Sequence, residues 1–128
     1  MKCERKFYRC EICGNIVGLI HNGGGELVCC GQPMDLLTAN TFDASQEKHV
    51  PVISKDGNNI TVKIGSDEHP MTDAHYIQWV YLSSSKGGQR KCLAPNYKPE
   101  VTFCVCDADD NFEVFAYCNL HGLWTASL

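Results

Sequence analysis

The chain has 128 residues, a formal net charge of −4 and nine cysteines, and its 11 lysines and arginines are scattered along the sequence. The acidic balance and the absence of a concentrated basic stretch argue against nucleic-acid binding. No apolar run approaches the roughly 18 residues needed to span a bilayer, and the first ten residues lack a secretory pattern. We therefore expect a cytoplasmic protein without membrane contact, in which clustered thiols bind metal rather than form disulfides.

The first candidate metal site lies in residues 1–37. Cys10 and Cys13 form a CxxC pair, and the adjacent Cys29 and Cys30 supply a second pair. A CxxC turn directs two sulfurs toward one point, and a second pair can complete a tetrahedron. The segment has too few large apolar residues for a core of its own, so we expect a metal ion to hold it together. The spacing alone does not distinguish zinc from iron.

The rest of the chain has the pattern of an all-β domain. Residues 38–47 are small and polar and are predicted to be a linker. The runs VPVI, ITVKI, HYIQWVYL, EVTFCVC and FEVFAYC then alternate with turn signals such as Asp56-Gly57. Ile60, Val62 and Ile64 share one face of their run, as expected for a half-buried strand. These features predict an immunoglobulin-like antiparallel β-sandwich.

The second candidate metal site combines four histidines with one cysteine: His49, His69, His75, Cys118 and His121. His69 and His75 fall in a predicted loop before HYIQWVYL, and the other three lie at predicted strand ends or in loops. Structural zinc sites take four ligands, and a blue-copper site needs a methionine soon after its histidine, which GLWTASL does not provide. Iron(II) accepts a sixth ligand, so four nitrogens and one sulfur would leave one position open to a small oxidant.

Several motifs together resemble one family. In this order and spacing, CEIC with the CC pair, EKHVPV, HPM, HYIQWV and CNLHGLW are similar to the desulfoferrodoxin family, the two-iron class of superoxide reductases. The resemblance covers essentially the whole chain, and its N-terminal part also resembles desulforedoxin, a small rubredoxin-like electron carrier. It implies a desulforedoxin-like domain over residues 1–37 and a catalytic β-sandwich over residues 38–128.

The resemblance further implies two mononuclear iron ions per chain. The accessory iron would be held by Cys10, Cys13, Cys29 and Cys30. The catalytic iron would have four equatorial nitrogens, from His49, His69, His75 and His121, and an axial thiolate from Cys118. No role is expected for His21, Cys3, Cys92, Cys104 or Cys106.

The implied activity is the one-electron reduction of superoxide to hydrogen peroxide, with rubredoxin as electron donor, in a homodimer. Lys48, beside His49, is predicted to attract the anionic substrate against the net negative charge of the protein. Glu47 is predicted to occupy the open iron position once peroxide has left. Two alternatives remain open at this point: a non-catalytic electron-transfer protein with two iron centres, and a zinc-stabilised binding module.

Overall fold

The computed structural model describes residues 4–128, so the prediction for Cys3 lies outside the described residues. The chain divides into two compact units, Met1–Thr38 and Ala39–Leu128. Among the described residues, no helix is both long enough and apolar enough to cross a membrane.

The first unit is made of short strands around very few buried side chains. Among the residues of this unit that the structure describes, Phe7 and Cys10 are the buried apolar ones, with 8% and 1% of their surface exposed. Antiparallel pairing gives a three-stranded sheet in the order β2-β1-β5 and a separate hairpin of β3 and β4. The strands are β1 (Lys6–Arg9), β2 (Ile16–Leu19), β3 (Val28–Cys29), β4 (Gln32–Pro33) and β5 (Asp35–Leu36). Two buried side chains cannot stabilise a domain alone, in keeping with the predicted need for metal.

The second unit consists of two antiparallel sheets and one short helix. Its sheets have the strand orders β10-β7-β6 and β12-β11-β8-β9. The elements are α1 (Gln46–His49), β6 (Pro51–Asp56), β7 (Asn59–Ile64), β8 (Ile77–Ser84), β9 (Gly87–Cys92), β10 (Glu100–Cys104), β11 (Glu113–Cys118) and β12 (Gly122–Ser127). The predicted all-β fold is confirmed.

The core of the second unit lies between its two sheets. Ile60, Val62 and Ile64 of β7 are at most 1% exposed, as the alternation of apolar residues predicts. In β10, Phe103 is fully buried while the neighbouring Thr102 points to solvent. Buried side chains of β7 and β10 pack with those of β8 and β11 in a single cluster. The core thus fixes both sheets, and with them the ends of the strands.

Strands β9 and β12 and helix α1 of the second unit were not predicted from the sequence. Strand β9, with the sequence GGQRKC, is polar and glycine-rich, and it forms an exposed edge beside β8. Charged residues on such an edge discourage pairing with other chains, which explains why the apolar pattern of a strand is missing. Helix α1 is a single turn whose first residues fall within the predicted linker. In the same segment, the amide group of Asn40 donates to the Thr125 carbonyl oxygen at 3.2 Å and accepts from the Thr125 N–H at 2.9 Å.

The β11–β12 hairpin ends in the turn that carries CNLHGLW. Cys118 pairs with Gly122 across this turn, and Gly122 has a φ of 78°, a conformation that favours glycine. On the other side, the register between β11 and β8 shifts after Tyr117, so that Cys118 pairs with Ile77. Such an irregularity bends a strand and redirects its side chains, and here it lies at the last residue of β11.

Phe103 and Thr102 provide a direct test of the two-sheet core. Phe103→Ala should lower the free energy of unfolding by about 3–5 kcal/mol because it leaves a large cavity in a closed core. Thr102→Ala, one residue away on the exposed face, should cost less than about 1 kcal/mol. Urea unfolding followed by tryptophan fluorescence measures both, since Trp79 and Trp124 lie in the second unit. Equal losses in the two variants would contradict the assigned faces.

Candidate metal centres

Four thiols of the first unit converge on one point. The sulfur atoms of Cys10, Cys13, Cys29 and Cys30 all lie within 4.8 Å of one another. The Cys13 and Cys29 sulfurs are 3.6 Å apart, and those of Cys29 and Cys30 are 4.0 Å apart. Cys10 is buried, whereas Cys13 and Cys30 are exposed. The arrangement is a tetrathiolate group at the surface of the first unit.

The first thiol pair is shaped by a turn that offers backbone N–H groups to sulfur. The N–H of Gly14 donates to the Cys10 carbonyl oxygen at 2.9 Å, and Gly14 has a φ of 80°. The N–H of Cys13 then points at the Cys10 sulfur, 3.5 Å away, and the N–H of Asn15 at the Cys13 sulfur, 3.4 Å away. Hydrogen bonds of this kind stabilise thiolates and so favour metal binding.

The second thiol pair lies at a tight hairpin turn. Cys29 pairs with Gln32, which leaves Cys30 and Gly31 as the two turn residues. Both have positive φ, 53° and 77°, as a type I′ turn requires. This turn brings the side chains of two adjacent cysteines to the same group, which extended backbone would send to opposite faces. The positive φ values of this turn therefore explain how two cysteines adjacent in the sequence can both face the same thiol group.

The pKa values of these thiols favour a bound cation. Hydrogen bonds from the Cys13 and Ile12 backbone lower the pKa of Cys10 to about 6. The neighbouring sulfurs of Cys13, Cys10 and Cys29 raise the pKa of Cys30 to about 12, and those of Cys10 and Cys13 raise the pKa of Cys29. Four thiolates therefore cannot form together at neutral pH without a positive charge among them.

A second group of metal-ligating side chains forms at one end of the sandwich. It contains three histidines and one cysteine, whose ligand atoms all lie within 4.8 Å of one another: His49, His75, Cys118 and His121. They come from four places in the fold, namely the end of α1, the loop before β8, the end of β11 and the turn after it. The structure thus brings together residues that are far apart in the sequence.

His69, the fifth predicted ligand of this site, lies against the same group. Its ring centroid is 4.8 Å from that of His49 and 4.6 Å from that of His75, with both pairs edge to face. Its side chain is 1% exposed. The structure therefore places all five predicted residues at one site, with four of them in the tightest cluster.

Backbone contacts fix which nitrogen two of the rings present. Nδ1 of His49 lies 2.6 Å from the Ser45 carbonyl oxygen, and Nδ1 of His69 lies 2.6 Å from that of Pro70. A carbonyl oxygen only accepts, so each Nδ1 carries the proton and donates it. Nε2 of each ring then carries the lone pair with which imidazole binds metal, and Nε2 of His49 lies 3.0 Å from Nδ1 of His121.

Two of the ring nitrogens are buried without a partner. Among the described residues, Nε2 of His69 and Nε2 of His75 have no hydrogen-bond partner. Leaving one such group unsatisfied costs about 1–3 kcal/mol. A metal ion between the rings would satisfy both atoms. The donor set and these two atoms therefore fit a bound metal ion.

Burial keeps the group in the protonation states that suit a metal site. Desolvation is the main reason why the pKa values of His49, His69 and His75 are lowered, that of His69 to about 4. The same effect raises the pKa of the fully buried Cys118 thiol. The imidazoles of His49, His69 and His75 are thus neutral at pH 7, whereas the thiolate needs a neighbouring cation to form.

Trp124 is a member of this site that the sequence interpretation missed. Its ring stacks on His49 at a centroid distance of 4.9 Å and an angle of 28°, and its Nε1–H donates to the His121 carbonyl oxygen at 3.0 Å. It is 1% exposed. A buried tryptophan usually finds a partner for its N–H. Because Trp124 follows His121 closely in CNLHGLW, the motif could have indicated that this tryptophan contacts the site.

Glu47 and Lys48 are exposed residues of α1, directly before His49. The Ser45 hydroxyl donates to the Glu47 carboxylate at 2.6 Å and is the main cause of its lowered pKa. The positive charge of Lys48 contributes to the lowered pKa values of His49 and His75, so its field reaches the histidine group.

Gly65 holds α1 in place and was not singled out from the sequence. It has a φ of 86°, and a Cβ at this position would lie 2.7 Å from the Glu47 carbonyl oxygen and would overlap that of Asp67. The Asp67 N–H also donates to the Glu47 carbonyl oxygen at 2.9 Å. Such close backbone approach leaves room for glycine alone.

Four residues for which no role was expected lie outside both metal-ligand groups of the described residues and are exposed: His21, Cys92, Cys104 and Cys106.

Comparisons with known proteins cover both units of the chain. The desulfoferrodoxin profile matches residues 41–127, and that of the desulfoferrodoxin N-terminal domain matches residues 3–37. Desulfoferrodoxin from Syntrophotalea carbinolica is 52% identical over 119 residues, which are 93% of each chain. Desulforedoxin from Megalodesulfovibrio gigas is 50% identical over 34 residues, which are 27% of this chain and 92% of that protein. The crystal structure of the superoxide reductase from Treponema pallidum matches with a TM-score of 0.80 and 37% identity, covering 94% of this chain and 97% of that one.

The chain belongs to the desulfoferrodoxin family. Its tetrathiolate group and its histidine–cysteine group fit the two mononuclear iron centres predicted from the sequence.

The lowered pKa of His69 predicts how the metal-free protein responds to pH. Because this pKa falls from 6.5 to about 4 on folding, the unfolded chain binds the proton first as the pH drops. The contribution of His69 to stability is complete above about pH 6.5 and is lost progressively down to about pH 4. Thermal unfolding of metal-free protein from pH 7 to pH 4 should show a shallower decline for His69→Gln than for the wild type. Parallel curves would mean that His69 is not buried in its neutral form.

Proposed function

We propose that this protein is a superoxide reductase, which reduces superoxide to hydrogen peroxide at an iron held by His49, His69, His75, His121 and Cys118. The observation that carries the proposal is the pair of buried, unpartnered Nε2 atoms of His69 and His75 beside a buried thiol. The Treponema pallidum protein, which covers nearly the whole chain, is itself described as a superoxide reductase.

Five protein ligands suit iron better than the alternatives. Zinc sites take four ligands, or three with one water, and blue-copper sites combine two histidines, a cysteine and a weak axial methionine. When bound by these five residues, a ferrous ion would supply the single electron that, with two protons, converts superoxide to hydrogen peroxide. No oxygen is released, in contrast to dismutation.

Cys118 is proposed to tune the site. A thiolate ligand donates electron density to iron, as in haem enzymes with a cysteine ligand, and so favours electron delivery to oxygen species. The thiol is buried, and burial raises its pKa, so its negative charge is stabilised by the metal rather than by water. Its sulfur lies 3.9 Å from Nδ1 of His121, which supports the idea that both bind the same ion.

Lys48 and Glu47 are proposed to act at the entrance. The protein carries a net charge of −4, so an anion is attracted only where local charge is positive. Lys48 provides such a charge beside His49, and its influence on His75 supports a position near the histidine group. Glu47 is ionised and is held by the Ser45 hydroxyl; we propose that it leaves this partner and closes the site after the product has left.

The tetrathiolate iron is proposed as an accessory centre, held by Cys10, Cys13, Cys29 and Cys30. The exposed residues Cys13 and Cys30 would allow electron exchange at the surface. Rubredoxin as the electron donor, a homodimer and a cytoplasmic location are proposed from the family resemblance and the abundance of free thiols.

A superoxide pulse tests the proposed function directly. Fully reduced protein is mixed with superoxide while the oxidation of iron, the formation of hydrogen peroxide and the release of oxygen are recorded. A superoxide reductase should oxidise its histidine-ligated iron at a rate near the diffusion limit and release no oxygen. A non-catalytic electron carrier would react slowly, and a dismutase would release oxygen; either result would contradict the proposal.

Lys48→Ala tests the attraction of superoxide. Removing this charge should slow the bimolecular reaction roughly 10-fold at low salt, and the difference should shrink as salt is raised. The optical spectrum of the iron should stay unchanged, since Lys48 is no ligand. Lys86→Ala removes the same charge at an exposed position in the β8–β9 turn and should have little effect. Equal rates for Lys48→Ala and Lys86→Ala would dismiss the steering role.

Cys13→Ser tests whether the two centres act independently. This change removes one thiolate of the tetrathiolate group and should abolish or strongly weaken the accessory iron, while superoxide reduction at the other centre continues. Cys92→Ser, which alters an exposed cysteine outside both groups, should leave both irons in place. Metal analysis combined with the superoxide pulse measures both effects. Loss of superoxide reduction in Cys13→Ser would show that the catalytic centre depends on the accessory one.

A further inference from the structure

The side chain of Asn119 holds the segment that carries His75. Its Oδ1 accepts a hydrogen bond from the Tyr76 N–H at 2.9 Å, and its Nδ2 donates to the Ala74 carbonyl oxygen at 3.0 Å. The Asn119 N–H also donates to the Tyr76 carbonyl oxygen at 3.2 Å. The two side-chain hydrogen bonds therefore hold the peptide units on either side of His75.

Asn119 makes these contacts because the regular sheet ends here. The register between β11 and β8 shifts after Tyr117, and β8 begins only at Ile77. Strand pairing therefore does not fix the residues before Ile77. The carboxamide of Asn119 instead provides one acceptor and one donor, as a paired backbone residue would. The half-buried Asn119 is thus an extension of the ladder into the loop that bears His75.

The other side of the His75 segment is closed by Thr72. The Thr72 N–H donates to the His75 carbonyl oxygen at 2.9 Å, and the His75 N–H donates to the Thr72 hydroxyl oxygen at 3.1 Å. This turn is local and can shape the loop, but it cannot tie the loop to the strand that carries Cys118. That connection is made by Asn119, one residue after Cys118.

We propose that Asn119 is a positioning residue for the metal site, which sets the place of His75 relative to Cys118 and His121 through its two hydrogen bonds to the Ala74–Tyr76 backbone. Among the described residues, Nε2 of His75 is one of the two buried imidazole nitrogens without a hydrogen-bond partner, so no hydrogen bond at Nε2 fixes the ring and its position depends on the backbone that carries it. A loop free to move would spread His75 over several positions and weaken metal binding. Partners of metal ligands commonly account for about 10- to 100-fold in metal affinity. The proposal rests on the assignment of His75 as a ligand in the proposed function.

The test compares iron retention at the two centres of the same chain. Iron-loaded wild type and Asn119→Ala are equilibrated with increasing EDTA, and the iron left at each centre is read from its own optical and Mössbauer signals. Asn119→Ala should release iron from the histidine-containing centre about 10- to 100-fold more readily. The tetrathiolate centre, in the other unit of the chain, should be unaffected and serves as the internal reference.

Asn40→Gly is the matched control. The carboxamide of Asn40 likewise makes two hydrogen bonds to backbone, both with Thr125, a strand residue that is not among the metal-ligating groups. Glycine fits the φ of 60° at this position, so the change removes the two hydrogen bonds without backbone strain. It should lower the free energy of unfolding about as much as Asn119→Ala while leaving iron retention unchanged. A role of Asn119 in general stability alone would give equal iron loss in the two variants and would overturn the proposal.

A measurement on the wild type covers the case in which Asn119→Ala does not fold. Hydrogen–deuterium exchange of the iron-loaded protein should show slow exchange at the Tyr76 amide, whose hydrogen is held by Asn119. Exchange at the rate of a free amide would overturn the proposal. A wild type that holds no iron at the histidine-containing centre would overturn the proposed function as well. If the wild type holds iron at this centre and Asn119→Ala retains it equally well, only the positioning role of Asn119 is rejected.

Discussion

The burial of imidazole nitrogens with no protein partner is the constraint on which the second unit depends. Among the described residues, Nε2 of His69 and Nε2 of His75 are withdrawn from water and left without a hydrogen bond. Such buried atoms are costly, and the rings that carry them pack edge to face against each other. Hydrogen bonds from Nδ1 of His49 and His69 to backbone carbonyls leave Nε2 of these rings unprotonated, and Nε2 of His49 lies 3.0 Å from Nδ1 of the predicted ligand His121. The fold therefore maintains a site that a cation completes.

One hairpin organises most of this site. The turn between β11 and β12 supplies Cys118 and His121, while Trp124 stacks on His49 and bonds to the His121 carbonyl oxygen. Asn119 links the same turn to the backbone around His75. The rigid sandwich core anchors both strands of the hairpin, so ligands from distant parts of the chain meet with little freedom. The tetrathiolate group uses the other strategy, with two tight turns in a unit that has hardly any core.

Much of the fold and of the site could be predicted from the sequence. The alternation of Ile60, Val62 and Ile64 identified a buried face, and the CxxC and CC pairs identified the first group of thiols. Strand β9 escaped prediction because an exposed, charged edge lacks the apolar pattern of a strand. The roles of Trp124 and Gly65 depend on contacts with residues distant in the sequence, which spacing alone does not reveal. The resemblance to desulfoferrodoxin gave the ligand set, whereas the structure gave the nitrogen that His49 and His69 each present.

Each chain is expected to hold iron in two different environments, one of four sulfurs and one of histidine nitrogens with a single sulfur. Mössbauer spectroscopy of the full chain, produced with iron-57 and reduced, distinguishes these environments. The reduced protein should give two quadrupole doublets of equal area, one from the tetrathiolate centre and one from the centre that contains Cys118. A single iron environment, or zinc in place of iron at the histidine-containing centre, would contradict this expectation.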